Sequence, residues 1–139
     1  MKSLIASLFA AAALCACAGA PVPRPARLPD LTGSWQLAAP VPAGARIPTM
    51  TVGQDGSVHG NAGVNRYRGT LDATALGRGQ WRAGPFAGTR MAGAPQAMQL
   101  EQDFLGALER ADTAELHGDR LVLLQGGAPV VELMRPQLP

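Results

Sequence analysis

The chain has little of what most simply builds a core or a reaction centre. Aromatic residues make up 4% of its 139 positions, so a core must rest on Leu, Val, Met and Ala. There are two cysteines, Cys15 and Cys17, and none after them. The remainder of the chain is therefore held by its core alone, without disulfides. Histidine occurs twice, as His59 and His117. Neither has a Cys, an Asp or a second His at metal-ligand spacing, so no metal or other cofactor is expected. Ser34 and Ser57 stand in ordinary strand or turn contexts, without the Gly-x-Ser-x-Gly elbow of many hydrolases, and no catalytic residue is assigned. The formal charge is only +2. Nucleic acid demands a concentrated basic face, and that class is excluded as a partner. What the chain does have is 17 Gly and 12 Pro, spread along its length. They punctuate many short elements and argue against a helical bundle.

The N-terminus carries its own signal. Met1-Lys2-Ser3 holds one positive charge, and Leu4 to Leu14 is apolar throughout except at Ser7. That run is too short to span a bilayer, which needs about 20 residues, and has the form of a secretory signal peptide. It ends in Leu14-Cys15-Ala16-Cys17, which resembles the lipobox of bacterial lipoproteins. The resemblance implies a signal peptide over 1–16 and an acylated Cys17 as the mature N-terminus, attached to the membrane through its lipid. Ala18 is not the Asp that retains many such proteins in the inner membrane, which points to the outer membrane, facing the periplasm. The alternative is plain secretion into the periplasm after a cut at Ala18-Gly19-Ala20 or Ala16-Cys17-Ala18. Residues 17–30 contain Pro21, Pro23, Pro25 and Pro29. They read as a lipid-anchored, extended tether of about 35–40 Å.

Residues 31–136 read as one domain of short strands and one helix. Strand-like runs cover 31–37, 47–52, 57–60 and 66–71, with Asp55-Gly56 as a hairpin turn between the second and third. Gln80-Trp81-Arg82 is a further candidate, reached through a Gly-rich loop. Pro95 suits the first turn of a helix. Ala97, Leu100, Phe104, Leu108 and Ala111 follow at helical spacing, with Met98 and Leu105 widening the stripe. Three more strand runs, 113–116, 121–124 and 130–134, close the chain. The pattern is α+β: a curved antiparallel sheet, or partial barrel, packed on one amphipathic helix.

Several motifs then line up in order. Gly60-Asn-Ala-Gly63-Val64-Asn65-Arg66-Tyr67-Arg68-Gly69 is similar to the "G-x-a-G-C-N-r-y-x-G" signature of the META, or HslJ-like, domain family. Thr89-Arg90-Met91-Ala92-Gly93 matches its "T-r-M-a-C". Glu101-Gln-Asp-Phe104-Leu105-Gly-Ala-Leu108 matches its helix, and Gly33-x-Trp35-x-Leu37 and the hairpin after Leu121 also fit. The resemblance implies a small β-rich domain with one packed helix, in envelope or surface proteins linked to stress responses. It supplies no catalytic residues. Val64 and Gly93 stand where the family often has Cys, so a thiol role proposed for relatives does not apply here.

The Gly-rich segment lacks the Gly-Lys-Ser/Thr ending of a phosphate loop. Its glycines read as positive-φ or close-approach positions in a bulged hairpin, with Asn65 bonding to local backbone. Glu101 falls on the apolar side of the helix, where a carboxylate must be protonated, paired or at the edge of the packed surface. A Glu101 bridge to Arg90 or Arg66, tying helix to Asn65 loop, is expected; an acidic group in a ligand cleft is the alternative. Arg66 and Arg68 share a strand face. That face is either a solvated surface or a patch for anionic lipid or an acidic partner. Asn65, Arg66, Tyr67, Arg90 and Glu101 are thus the candidate structural or interaction residues, beside Cys17 for lipidation.

The expectation is a monomeric, non-enzymatic envelope lipoprotein whose domain is a stress-protective or interaction module with an envelope protein partner. The alternative is a small-molecule binder using a cavity between sheet and helix. A large apolar cavity with convergent polar groups favours the binder. A filled core with an exposed apolar or Arg-rich patch favours the partner module.

Overall fold

The computed structural model describes residues 19–137. The signal peptide over 1–16 and the lipidation residue Cys17 lie outside them. Nine strands form one sheet: β1 Arg24–Pro25, β2 Gly33–Leu37, β3 Thr49–Val52, β4 Ser57–Asn61, β5 Arg66–Thr70, β6 Ala87–Gly88, β7 Thr113–His117, β8 Arg120–Gln125 and β9 Ala128–Met134. Their order is β1-β7-β8-β9-β2-β3-β4-β5-β6, and every pairing is antiparallel. Three helices accompany them: α1 Leu28–Leu31, α2 Ala73–Gly77 and α3 Pro95–Arg110. The α+β architecture expected from the sequence, a sheet with one long helix, is the one observed.

Period-two patterning selects the inner face. In β8 and β9, Leu121, Leu123, Val131 and Leu133 point inward, and Leu121 lies opposite Leu133. In β2 and β3, Trp35 lies opposite Met50 on the same inner side. The helix α3 starts with Pro95 at its first position, where a missing N–H costs no hydrogen bond. It packs over β8 and β9 and buries Ala97, Glu101, Phe104, Ala107 and Leu108. The expected stripe is thus rotated slightly: Leu100 is half-buried and Glu101 takes a buried place.

The scarce aromatics are used as fasteners. The Trp35 indole N–H donates to the carbonyl of Leu31 at 2.8 Å, holding α1 to the sheet. The Trp81 indole N–H donates to the carbonyl of Leu108 at 2.8 Å, near the end of α3. Both rings are almost fully buried, where an indole N–H must find a partner.

Four details differ from the sequence reading. The 17–30 segment is docked onto the domain from Arg24 onward. There β1 pairs with β7, Ala26 is fully buried, and Arg24 pairs with Asp30 at 2.8 Å. Proline disfavours helix but is at home on a sheet edge, which is where Pro25 sits. The segment after β5 is not a bare loop: Asp72 accepts the Ala75 N–H at 3.0 Å and caps α2. The 80–82 run forms no strand of its own but one isolated bridge, Gln80 with Thr113, and a second bridge, Leu71 with Ala83, follows directly after it. Finally, the β4–β5 hairpin is regular from Ser57–Thr70 to Asn61–Arg66, and a register shift lies instead at Leu123/Leu124.

Candidate functional site

The loop 62–65, between β4 and β5, is shaped by glycine and asparagine. Asn61 Oδ1 accepts the Gly63 N–H at 2.8 Å, and Gly63 turns the chain at φ +125°. Few residues other than glycine take that φ. The turn points the N–H groups of Val64 and Asn65 at α3. There Glu101 Oε2 accepts both, at 3.2 and 2.8 Å, while Oε1 accepts Asn65 Nδ2 at 2.9 Å.

Asn65 is the centre of this knot, with 3% of its surface exposed. Its Oδ1 accepts the Met91 N–H at 2.6 Å and the Thr89 hydroxyl at 3.0 Å. Its second amide proton goes to the Met91 carbonyl at 3.1 Å. All four hydrogen-bonding positions of the amide are used. Loop 62–65, segment 89–91 and helix α3 are therefore joined by two side chains, Asn65 and Glu101. The expected bridge from Glu101 to Arg90 or Arg66 is not what joins them. Both arginines are exposed, and the donors come from backbone and amide. Backbone N–H groups that would otherwise be buried unpaired supply the physical reason. Asn65 likewise reaches across to 89–91 rather than to its own turn, a role taken by Asn61.

Next to the knot, Val64 and Gly93 are neighbours. A Cβ added at Gly93 would meet Val64 Cγ2 at 2.7 Å. The branched side chain at 64 fills the space that the missing one at 93 leaves. Positions 64 and 93 are in direct contact, and here their volumes compensate.

Tyr67 faces inward on β5. Its hydroxyl donates to the Thr49 carbonyl at 2.7 Å, and its ring meets Phe86 and Phe104 edge-on, at 5.4 and 6.0 Å between centroids. Burial pushes its phenol well above the usual tyrosine range, so it remains a neutral donor. Its neighbours Arg66 and Arg68 point outward and are exposed. Across the outer face runs the row Ser34–Thr51–His59–Arg68–Ala87. Two adjoining open grooves follow this face. One, of about 410 Å³, is bordered by His59, Arg66, Arg68 and Thr89; the other, of about 460 Å³, by Ser57, His59, Arg68 and Ala87. Among the described residues, His59, Arg66 and Arg68 make no ion pair, and the pairs present join Arg24 to Asp30, His117 to Glu115 and Arg120 to Glu132.

A third groove, of about 510 Å³, gathers Asp72, Arg82, Glu109 and Asp112 beside Trp81. They come from three separate segments, so no local sequence pattern joins them. Each carboxylate is already engaged by backbone: Asp72 by Ala75, Glu109 by Phe86 and Asp112 by Gly126. No group of three or more potential metal ligands occurs among the described residues.

Comparison with known proteins places this geometry. A family model described as the META domain matches residues 29–137. An NMR structure of a protein from Burkholderia xenovorans is similar, with a TM-score of 0.64 and 26% identity, over 87% of this chain and 94% of that one. A second NMR structure, 21% identical with a TM-score of 0.57, covers 75% of this chain and 89% of that one, and shares the fold. No curated protein matches.

Proposed function

The chain belongs to the META domain family, and on that premise we propose that it is a non-enzymatic interaction module of the bacterial envelope. The observation that carries this reading is the outer face of β4 and β5, where two exposed arginines and a histidine make no ion pair among the described residues. Charged groups left unpaired on one face are available for complementary charge on another molecule. The core beneath is packed with side chains from both layers, including Trp35, Phe104, Leu108, Leu121 and Leu133. The grooves around it open to solvent, which favours a surface over the alternative of a ligand held between sheet and helix. In this reading Cys17 is acylated and anchors the protein in the outer membrane, facing the periplasm. The module then acts as a monomer, supporting envelope integrity under stress.

The test is cross-linking of the intact protein in cells, followed by mass spectrometry of its N-terminus and of co-purifying proteins. A recurrent protein partner on acylated Cys17 supports the reading. No partner, with an unmodified N-terminus beyond Cys17, sinks it and brings forward a secreted small-ligand binder.

A further inference from the structure

We propose that β6 and the arginine face beside it form a docking site for an extended acidic peptide segment, which adds to the sheet as a tenth strand; this rests on the interaction-module reading and names its partner class. Among the described residues, strand β6 ends the sheet and pairs on one side only, with β5. Its ladder gives the direction of the groups left over. The Thr89 N–H donates to the Arg66 carbonyl at 3.0 Å. Alternation in an antiparallel ladder then turns the N–H and C=O of Gly88 to the open side. An edge with unpaired backbone groups is a template for another strand unless charge or cover blocks it. Here the edge residues Ala87, Gly88 and Thr89 are all exposed, small and uncharged.

Charge sets the chemistry of the incoming strand. Arg68 lies directly opposite Ala87, and Arg66 lies beside Thr89. Strands are spaced about 4.8 Å apart, so an added strand would run about 10 Å from β5. The methyl group of Ala87 leaves the space between open. A Glu side chain on the added strand and an Arg on β5 together span it. Arg66 and Arg68 are two residues apart on one face, and carboxylates two apart on an extended peptide repeat at the same interval. The pattern acidic-x-acidic therefore matches the site in register as well as in sign. His59, opposite Arg68 on β4, extends the face inward. Two carboxylates near its margins are engaged by backbone: Asp55 accepts the Ser57 N–H, and Glu109 accepts the Phe86 N–H. Two adjoining grooves with a free backbone N–H and C=O at their rim suit an extended chain better than a compact anion.

The probe is a short fluorescein-labelled peptide of alternating Glu and Thr, titrated into the full chain in neutral detergent. Three comparisons accompany it: the same peptide N-methylated at alternate residues, its Lys-for-Glu counterpart, and competition by inorganic phosphate or phosphatidylglycerol vesicles. The expected result is saturable binding of the acidic peptide, weakened at least about tenfold by Arg66→Ser with Arg68→Ser, about 1.4 kcal/mol or more. N-methylation weakens it similarly, and Arg120→Ser leaves it unchanged. The melting temperature checks the fold of the double variant, and Arg68→Gln alone gives an independent reading. Equal binding of the N-methylated peptide overturns the added strand. Displacement by phosphate or vesicles makes the face an ionic surface instead, and self-association abolished by the same substitutions assigns it to a second copy. If a partner cross-links in cells but is indifferent to Arg66 and Arg68, this site falls and the module reading stands. If the peptide binds as expected but no partner is found, the reverse holds.

Discussion

The β7–β9 meander and the β4–β6 end of the same sheet are stabilised in different ways. The meander is self-sufficient. Its strands are joined by tight turns at 118–119 and 126–127, and their inner residues are a continuous Leu/Val/Ala set. Two outward side-chain contacts lie within it, the ion pair of Arg120 with Glu132 and the hydrogen bond between Glu115 and His117. The β4–β6 end has strands of at most five residues with a glycine in each, and among the described residues its outward Arg66 and Arg68 make no ion pair. It is held to α3 by Asn65 and Glu101, which are the only buried polar or charged side chains among the described residues. A sheet region that neutralises its own surface has nothing left over for a partner. One fastened by an internal knot can leave its edge and outer face open.

That contrast is most strongly tested at Glu101. Replacing it with Ala leaves the N–H groups of Val64 and Asn65 and one proton of the Asn65 amide without acceptors. Each orphaned buried donor costs about 1–3 kcal/mol, and relaxation of the loop recovers part, so a loss of about 3 kcal/mol is expected. Glu101→Gln keeps one acceptor oxygen and should lose about half as much. Denaturant unfolding gives these values, and amide hydrogen exchange gives their location. Protection should fall first in 62–67 and 87–91 and persist in β8 and β9. A uniform loss of protection, or an unchanged midpoint for both variants, would remove the knot from the account.

The same contrast governs what could be read from the sequence. The meander was legible because alternation marks its inner face and glycine marks its turns. The helix was legible because Pro95 and the Phe104–Leu108 spacing mark it. Glu101 stands out as a carboxylate on an apolar stripe, which points to a link between the helix and the Asn65 loop. Its partners were not legible, because backbone N–H groups leave no trace in composition and two nearby arginines offered a simpler pairing. The docking of Arg24–Pro25 onto β7 was also hidden, since a proline-rich stretch looks the same whether it is a tether or an edge strand. The acidic groove depends on contacts among distant segments that no local pattern encodes.

A second intervention would make the knot covalent. The Cβ of a residue at 93 would lie 3.5 Å from Val64 Cβ, within the range of disulfides. Replacing Val64 and Gly93 together with Cys also removes the branched methyls that now fill that space. The double variant should form an intramolecular disulfide in air, seen as a mobility change on reduction. It should stabilise the oxidised protein by about 2 kcal/mol, since the cross-link closes a loop in the unfolded chain. Stabilisation with hydrogen-exchange gains confined to the β4–β6 end would sharpen the comparison. Thiols that stay free under oxidation would show that the two backbones are farther apart than the contact implies.

The smallest effect belongs to the meander and is set by pH. Asp112 accepts the Gly126 N–H at 2.9 Å and the Thr113 hydroxyl at 2.9 Å. The hydrogen bond from Gly126, and then that from Thr113, hold its carboxyl below the usual value of 3.8. A carboxylate with a depressed folded-state pKa stabilises the fold above its unfolded-state pKa, and that contribution disappears as pH falls through the folded value. Asp112→Asn should therefore lower the melting temperature slightly near neutral pH. The wild-type and variant curves should begin to converge as the pH drops below 3.8, the usual Asp value, and meet only below the lowered folded-state pKa. Melting curves recorded from neutral pH into this acid range decide it. A difference that persists undiminished in acid would mean that Asn fails for shape rather than charge. The turn at 126–127 would then depend on the fit of the side chain at 112, and the meander would be less independent of single contacts than its regular pairing suggests.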